Sequence, residues 1–329
     1  MRLDPVETKV FDPADGFAPL TDVIEVTDPA IFRRGDRWWM CVGTQVAQRP
    51  GIQLAMASLT EGAPLSPSGW RLPAEDHHST RIATLAQERS RAWDLRGGRH
   101  CPSYVRGVQP YTGTWVERIY YAGAAEHLWG PYTIGYLEWD GERWIDQPES
   151  AFVATEPWER GSVFEPNVIY AEGKWKLWYV AGSHQENYHV HGCAESEDGR
   201  SNWTPHQIFA PAEMKMFDFH VRAADTGYEV IFSRVWLQGT PPPQTGLWWC
   251  QCERPSARLE DWSAPVQLMT AAERGWHSGP WKPSAAVSPA DPKRLFVFFS
   301  GLYSSKTASP YSPFVFTLGC VEVSRPERM

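Results

Sequence analysis

The sequence predicts an all-β fold, a five-bladed β-propeller with four antiparallel strands per blade, closed by the N-terminal strand. Three observations carry that prediction. The chain holds 18 Trp, 12 Tyr and 14 Phe among its 329 residues, a composition that favours pleated surfaces over helical bundles. Its 26 Gly and 28 Pro interrupt it too often for long helices. The third is a recurrence, five times at intervals of roughly 54 to 73 residues, of one order of elements: a strand opening near an X-Pro step, a turn, then an apolar strand ending in small residues.

The five pairs follow one another along the chain. The first runs from Asp28 to Phe32 and from Arg37 to Gly43, the second from Cys101 to Val105 and from Arg118 to Gly123. The third runs from Glu165 to Ile169 and from Trp175 to Gly182. The fourth, Asp218 to Arg222 and Tyr228 to Ser233, lacks the proline, and the fifth runs from Lys282 to Ala286 and from Leu295 to Gly301. A third apolar stretch follows each pair: Ile52 to Ser58, Tyr132 to Glu138, His189 to Ser196, Gly246 to Cys252 and Phe314 to Val323. Four units then show a fourth strand near Trp70, Trp144, Trp203 and Trp262. The fifth has none, so Val6 to Phe11 is its expected donor. The chain therefore reads as one domain, 1–329, with blades near 22–75, 100–148, 162–210, 215–270 and 280–325 plus 5–12.

Charge and cysteine usage bound the function. A net charge of −8 without a Lys/Arg block argues against a nucleic-acid partner, and no apolar run approaches membrane-spanning length. The first twenty residues carry four acidic groups and no apolar core of a secretory signal, which points to the cytoplasm. Six Cys lie mostly inside apolar strand-like runs without a CxxC, which suits buried thiols better than disulfides or zinc. No cofactor is expected, and the partner is a small molecule or an oligosaccharide.

The innermost strand of every propeller blade lines the axis, so the residues heading those strands converge although distant in sequence. Those heads are Asp28, Cys101, Glu165, the Asp218/His220 pair and Lys282. Two carboxylates facing each other across a narrow channel suit glycosidic cleavage, which needs one acid to protonate the leaving oxygen and one carboxylate to attack or to activate water.

Those heads, with their motifs, resemble the five-bladed propeller glycoside hydrolases: the arabinanases, xylosidases, arabinofuranosidases and their invertase-like relatives. Asp28 in Thr27-Asp28-Pro29-Ala30-Ile31-Phe32 is similar to the first-blade Asp-Pro motif, and Glu165 in Phe164-Glu165-Pro166-Asn167-Val168 to the third-blade Glu. The resemblance implies that Asp28 is the base or nucleophile and Glu165 the acid. Glu195-Ser196-Glu197-Asp198-Gly199, leading to Trp203, resembles a structural Ser-x-Asp-Gly corner of these blades. The family's third carboxylate, an Asp heading blade two, falls where this chain has Cys101, and Asp94 or Asp218 are the candidates to replace it. Two further readings stay open: a lyase, isomerase or cyclase acting on a non-sugar substrate in the same pocket, and a non-catalytic carbohydrate-binding propeller.

The other polar residues near the heads form the expected binding set: His100, Cys101, Asp218, His220, Arg222, Trp281 and Lys282. His220 suits an axial water or metal, or equally a hydrogen-bonded strand histidine. Arg222 alternates with it and is placed to orient Glu165 or to form a salt bridge. Lys282 is placed to bind an anionic group or to pair with Asp28 or Glu165. His100 and Cys101, as adjacent strand residues, should face opposite ways and so not form a catalytic pair. His189 and His191 share a strand face, with His184 in the preceding turn, but loop or interface roles are commoner than a metal. The blade Trp are read as packing, whereas Trp93, Trp129, Trp158, Trp236, Trp276 and Trp281 lie in irregular stretches where a ring can stack on a sugar. Long inserts at Pro73 to Arg99 and Val235 to Thr245 collect there as well.

Overall fold

The structure is a computed structural model that describes residues 5–85, 93–94, 98–126, 130–183, 186, 188–234, 245–271, 276–302 and 315–326. Trp129, Trp236 and His184 lie outside the described residues, as do Phe314, most of 235–245 and parts of 73–99.

The strands pair into antiparallel units in chain order. β1 (Glu7–Phe11) leaves its sequence neighbours. Unit one is β2 (Val23–Arg34), β3 (Arg37–Val46) and β4 (Ile52–Ser58), with an isolated bridge from Ser58 to Arg71 in place of a full fourth strand. Unit two is β5 (Gly98–Val108), β6 (Trp115–Ala124), β7 (Tyr132–Trp139) and β8 (Trp144–Asp146); unit three is β9 (Val163–Ala171), β10 (Lys174–Ser183), β11 (Tyr188–Ser196) and β12 (Gln207–Ala210). Unit four is β13 (Phe217–Ala223), β14 (Tyr228–Arg234), β15 (Gly246–Cys252) and β16 (Val266–Thr270). Unit five is β17 (Ser278–Ser288), β18 (Asp291–Leu302) and β19 (Phe316–Ser324), and β1 adds to β19 as its fourth strand, as expected from Val6 to Phe11.

Two details differ from the sequence reading. Units one and two are joined by a single parallel bridge from Ile52 to Gly98, so their strands form one seven-stranded sheet, and no hydrogen-bonded sheet closes on itself. Trp203 and Trp262 precede β12 and β16 rather than lying in them, because each ring must turn in between units. Trp70, Trp203 and Trp262 are buried in the hydrophobic clusters that separate consecutive units, and Trp144 packs against another, as their packing role requires. Every seam has such a cluster, including one in which Val26 and Met40 of unit one meet Phe298 and Leu318 of unit five. Central strands such as Leu177–Ala181 are apolar on both faces because each sheet is covered twice.

The innermost strands pack in a cycle: β2 on β5, β5 on β9, β9 on β13, β13 on β17, and β17 on β2. A repeated hydrogen bond ties them. The side chain two residues past each head accepts the backbone N–H three residues past the next head: Ser103 Oγ from Val168, Asn167 Oδ1 from Val221, His220 Nδ1 from Ala285 and Ser284 Oγ from Ile31, all at 2.9 Å. Unit one has Ala30 at that place and offers no acceptor.

Candidate active site

All five heads share an uncommon backbone. Asp28, Cys101, Glu165, Asp218 and Lys282 have φ of 50°, 54°, 50°, 42° and 44°, the left-handed region that non-glycine residues rarely adopt. In all five strands the pairing register shifts where the head sits. Each strand thus bulges and aims one side chain at the axis, and such conformations persist only where surrounding structure enforces them. The proline after the head is not the cause, since Asp218 lacks it.

The five side chains converge. Cys101 Sγ lies 2.7 Å from Glu165 Oε1 and 3.4 Å from Asp28 Oδ2, and Lys282 Nζ lies 2.8 Å from Glu165 Oε2. The Asp28 and Asp218 carboxyls each accept the backbone N–H of the next head, from Cys101 at 3.1 Å and from Lys282 at 2.7 Å. Asp218 also accepts from Ser233 Oγ at 3.0 Å. An apolar collar of Tyr132, Phe164, Val180 and Phe217, with Trp281 against it, borders the ring and limits its solvation. Cys101, Glu165, Asp218 and Lys282 are buried, and Asp28 alone keeps part of its surface open.

Electrostatics divide the carboxyls. Burial pushes Glu165 up, but the Lys282 ammonium, His100 and the Cys101 hydrogen bond outweigh it and hold the carboxyl at about 2. Asp28 is raised by burial and then by the charge of Glu165. Asp218 is raised well above the ordinary carboxylate range by the same two causes. Burial alone would lower Lys282, and Glu165 drives it up instead. Burial, with both carboxylates, keeps the Cys101 thiol neutral.

His100 corrects the sequence reading. Its Nδ1 lies 2.8 Å from Cys101 Sγ, so the two neighbours share one face. The alternation rule fails because the left-handed φ of Cys101 breaks the pleat between them. Asp28, His100 and Cys101 bring one donor atom each within 4.8 Å, a spacing that a metal ion would accept. In this ring the Cys101 sulfur is engaged by Glu165, and the Lys282 ammonium already supplies the positive charge.

Other candidates stand elsewhere. His220 lines an axial channel of about 240 Å³ below the ring, where its Nδ1 accepts the Ala285 N–H, the strand-histidine role. Arg222 does not orient Glu165: it pairs with Glu229, its register partner on β14, at 2.5 Å. Asp94 is no third carboxylate for the ring, because Arg99 holds it at 2.7 Å. His191 is bound to the Met216 carbonyl at 3.0 Å, and burial lowers it to about 3. Asp218 is the additional carboxyl that the ring does contain.

Three of the expected sugar-stacking tryptophans are packing residues. Trp93 stacks on Tyr121 over Gly135, Trp158 on Tyr179 over Gly192, and Trp276 lies by Phe299 over Gly319. In each case a β-carbon on the glycine would come within 2.0 to 2.7 Å of the indole. The Trp precedes an inner strand, and its aromatic and glycine partners sit on the next two strands. The Ser196–Gly199 corner is structural too: Ser196 Oγ accepts the Gly199 N–H at 3.0 Å, and a β-carbon on Gly199 would strike Trp175.

Sequence reasoning missed Glu25, three residues before Asp28. It is fully buried; its Oε2 accepts the Phe316 N–H at 2.8 Å and its Oε1 has no hydrogen-bond partner among the described residues. Burial raises it to about 8, against the Phe316 N–H and with some help from Asp28. The signal available was a lone Glu inside an apolar inner strand.

No protein-family model and no curated protein sequence matches the chain. Solved structures do. The catalytic domain of the Coprinopsis cinerea GH62 alpha-L-arabinofuranosidase superposes with a TM-score of 0.64 and 13% identity, covering 97% of this chain and 96% of that one. A family 117 glycoside hydrolase of the marine bacterium Zobellia galactanivorans gives 0.62 and 12%, covering 98% and 90%. The Podospora anserina alpha-L-arabinofuranosidase in complex with cellotriose gives 0.60 and 11%, covering 97% and 96%. The chain is thus similar in structure to glycoside hydrolases of five-bladed propeller type, and at this identity the likeness is one of fold.

Proposed function

We propose that the chain is a glycoside hydrolase-like enzyme, built as one five-bladed propeller over residues 1–329, with Asp28 and Glu165 as its acid/base carboxyl pair. One observation carries the reading. Two carboxyls from different units flank a single sulfur, Cys101 Sγ, at 3.4 and 2.7 Å. Those two oxygens are therefore at most the sum of these distances apart, about 6 Å, near enough for both carboxyls to act on one glycosidic bond. The reaction that fits is glycosidic cleavage in which one carboxyl protonates the glycosidic oxygen while the other attacks the anomeric carbon or activates the water that does. The cycle of inner strands, the cluster at every seam and the β1–β19 pairing support the propeller, and the fold-level neighbours support a carbohydrate substrate.

The test is hydrolysis of aryl glycosides of arabinose, xylose, galactose and fructose, the arabinofuranoside first because two of the neighbours are arabinofuranosidases. Cleavage of one of them is expected, lost by about 10²–10⁴-fold in Glu165→Gln and in Asp28→Asn while the fold is retained. If the wild-type protein leaves all four intact at high concentration, the reading is wrong.

A further inference from the structure

We propose that Asp28, His100 and Cys101 form a binding site for a thiophilic divalent cation of the zinc class, and that the ion, by taking hold of Asp28, reversibly stops cleavage. The binding site stands on its own geometry; the stop rests on the hydrolase reading and adds a means of regulation to it.

The sulfur is the centre of the argument. Cys101 Sγ lies 2.8 Å from His100 Nδ1, 2.7 Å from Glu165 Oε1 and 3.4 Å from Asp28 Oδ2. A thiol has one proton, so it can serve only one of three acceptors at a time. A cation seated among them serves several at once. Glu165 has a second partner in the Lys282 ammonium at 2.8 Å, which leaves His100 and Asp28 as the groups that gain most. His100 is itself buried, and its other ring nitrogen, Nε2, has no hydrogen-bond partner among the described residues. Burial disfavours the imidazolium, so the ring is in the neutral form that binds metals.

The donor types select the ion. One thiolate sulfur, one imidazole nitrogen and one carboxylate oxygen suit zinc, whereas calcium and magnesium take oxygen donors. The three donor atoms lie within 4.8 Å of one another. Two ligands of a tetrahedral zinc stand about 3.5 Å apart. The sulfur and Asp28 Oδ2 already fit that spacing at 3.4 Å, and His100 Nδ1, at 2.8 Å, has to withdraw by about 0.7 Å. Three protein donors leave the fourth position of the ion open to water.

The backbone assembles this set. Adjacent strand residues ordinarily face opposite ways, and the left-handed φ of 54° at Cys101 is what brings its sulfur and His100 to one side. Asp28 comes from the neighbouring inner strand and is held against them by the Cys101 N–H at 3.1 Å.

Charge and access agree. A thiolate and a carboxylate balance a dication, and Lys282 and Glu165 already balance each other, so the ion adds no net charge to the buried ring. Of the three ligands Asp28 alone keeps part of its surface open, and the ion enters from that side. As the metal–sulfur bond forms, the thiol proton leaves to solvent; nitrogen and carboxylate donate lone pairs, and no group is oxidised or reduced. An Asp28 carboxylate bound to the ion is withdrawn from the acid/base pair.

Cobalt(II) tests the site without any substrate. Titration of the wild-type protein with cobalt chloride should produce a thiolate-to-cobalt charge-transfer band, which zinc chloride then abolishes by displacing the weaker-binding ion. X-ray absorption of the zinc-loaded protein should show a single sulfur at about 2.3 Å among nitrogen and oxygen ligands. The band should vanish in Cys101→Ser, and His100→Ala and Asp28→Asn should each weaken binding by about 10-fold or more. Cys252→Ser, which alters the one partly exposed thiol, should leave the band unchanged. No charge-transfer band in wild type, two or more sulfurs on zinc, or a band that survives in Cys101→Ser or is lost in Cys252→Ser would overturn the site, and the first two outcomes need no variant to fold. On a cleaved glycoside, zinc should inhibit at the concentration at which it displaces cobalt, and EDTA should restore turnover. Full turnover by the zinc-loaded protein would overturn the stop while leaving the hydrolase reading intact. If no glycoside is cleaved, the hydrolase reading fails and the stop with it, and the cobalt and absorption spectra still decide the site.

Discussion

Lys282 decides the protonation of the ring, because it is the ammonium bonded to Glu165 and is itself buried. Removing one partner of a buried pair leaves an uncompensated charge, so Lys282→Met should cost about 3–5 kcal/mol in urea unfolding at neutral pH. Lowering the pH should recover part of that loss, since Glu165 can then neutralise itself. Glu25 makes a second prediction, with its own sign. Its carboxyl is raised from 4.5 to about 8, so the native state keeps a proton that the unfolded chain releases. Its contribution is fully present below pH 4.5 and is lost as pH rises toward 8, about 5 kcal/mol in all. Glu25→Gln should therefore match wild type near pH 4 and exceed its unfolding midpoint at pH 9; equal midpoints at both would show that Glu25 is not held neutral. At this scale the residue types at the heads were legible in sequence, because Asp-Pro, Cys-Pro, Glu-Pro and Lys-Pro recur. Their partners were not, since a pairing such as Arg222 with Glu229 is set by hairpin register, which no local pattern states.

Among the elements, the inner strands carry the next prediction. Four of five seams have a side-chain acceptor for the next strand's N–H, and Ala30 leaves the seam from unit one to unit two without one. Ala30→Ser should add that bond, stabilising the protein by about 0.5–1.5 kcal/mol, read as a higher unfolding midpoint. Asn167→Ala should do the reverse and cost about 1–3 kcal/mol, because the Val221 N–H is left buried and unpaired. Packing at the strand ends gives a companion. Gly192→Ala places a β-carbon 2.4 Å from Tyr179 and 2.7 Å from Trp158, an overpacking that should cost about 1–3 kcal/mol. Strand positions themselves were readable: Ile52–Ser58 and Gly246–Cys252 fall where their apolar runs begin and end. The bulges were not, and they reversed one conclusion. Strict alternation separates His100 from Cys101, whereas a left-handed head rotates them onto one face.

For the whole molecule, the final prediction concerns closure. β1 supplies the outer strand of unit five, and Glu7 binds His277 at 2.6 Å. Deleting residues 1–11 exposes β19 as an open edge, which invites pairing with a second chain. A lower unfolding midpoint and self-association in sedimentation are expected, and a truncated chain that stays monomeric and equally stable would show that unit five stands without β1. The sequence by itself determined the all-β class, the five units, the donor strand and the five heads. These follow from local signals, periodicity, turns and X-Pro steps, and from their repetition at similar spacing. Only the tertiary structure decided what the heads do together. It placed Cys101 between Asp28 and Glu165, bonded Lys282 to Glu165, drew Asp218 into the ring, and turned Trp93, Trp158 and Trp276 inward as packing. The physical reason is that protonation and contact depend on distance and burial through space, and residues from Asp28 to Lys282 become neighbours only when all five inner strands are assembled.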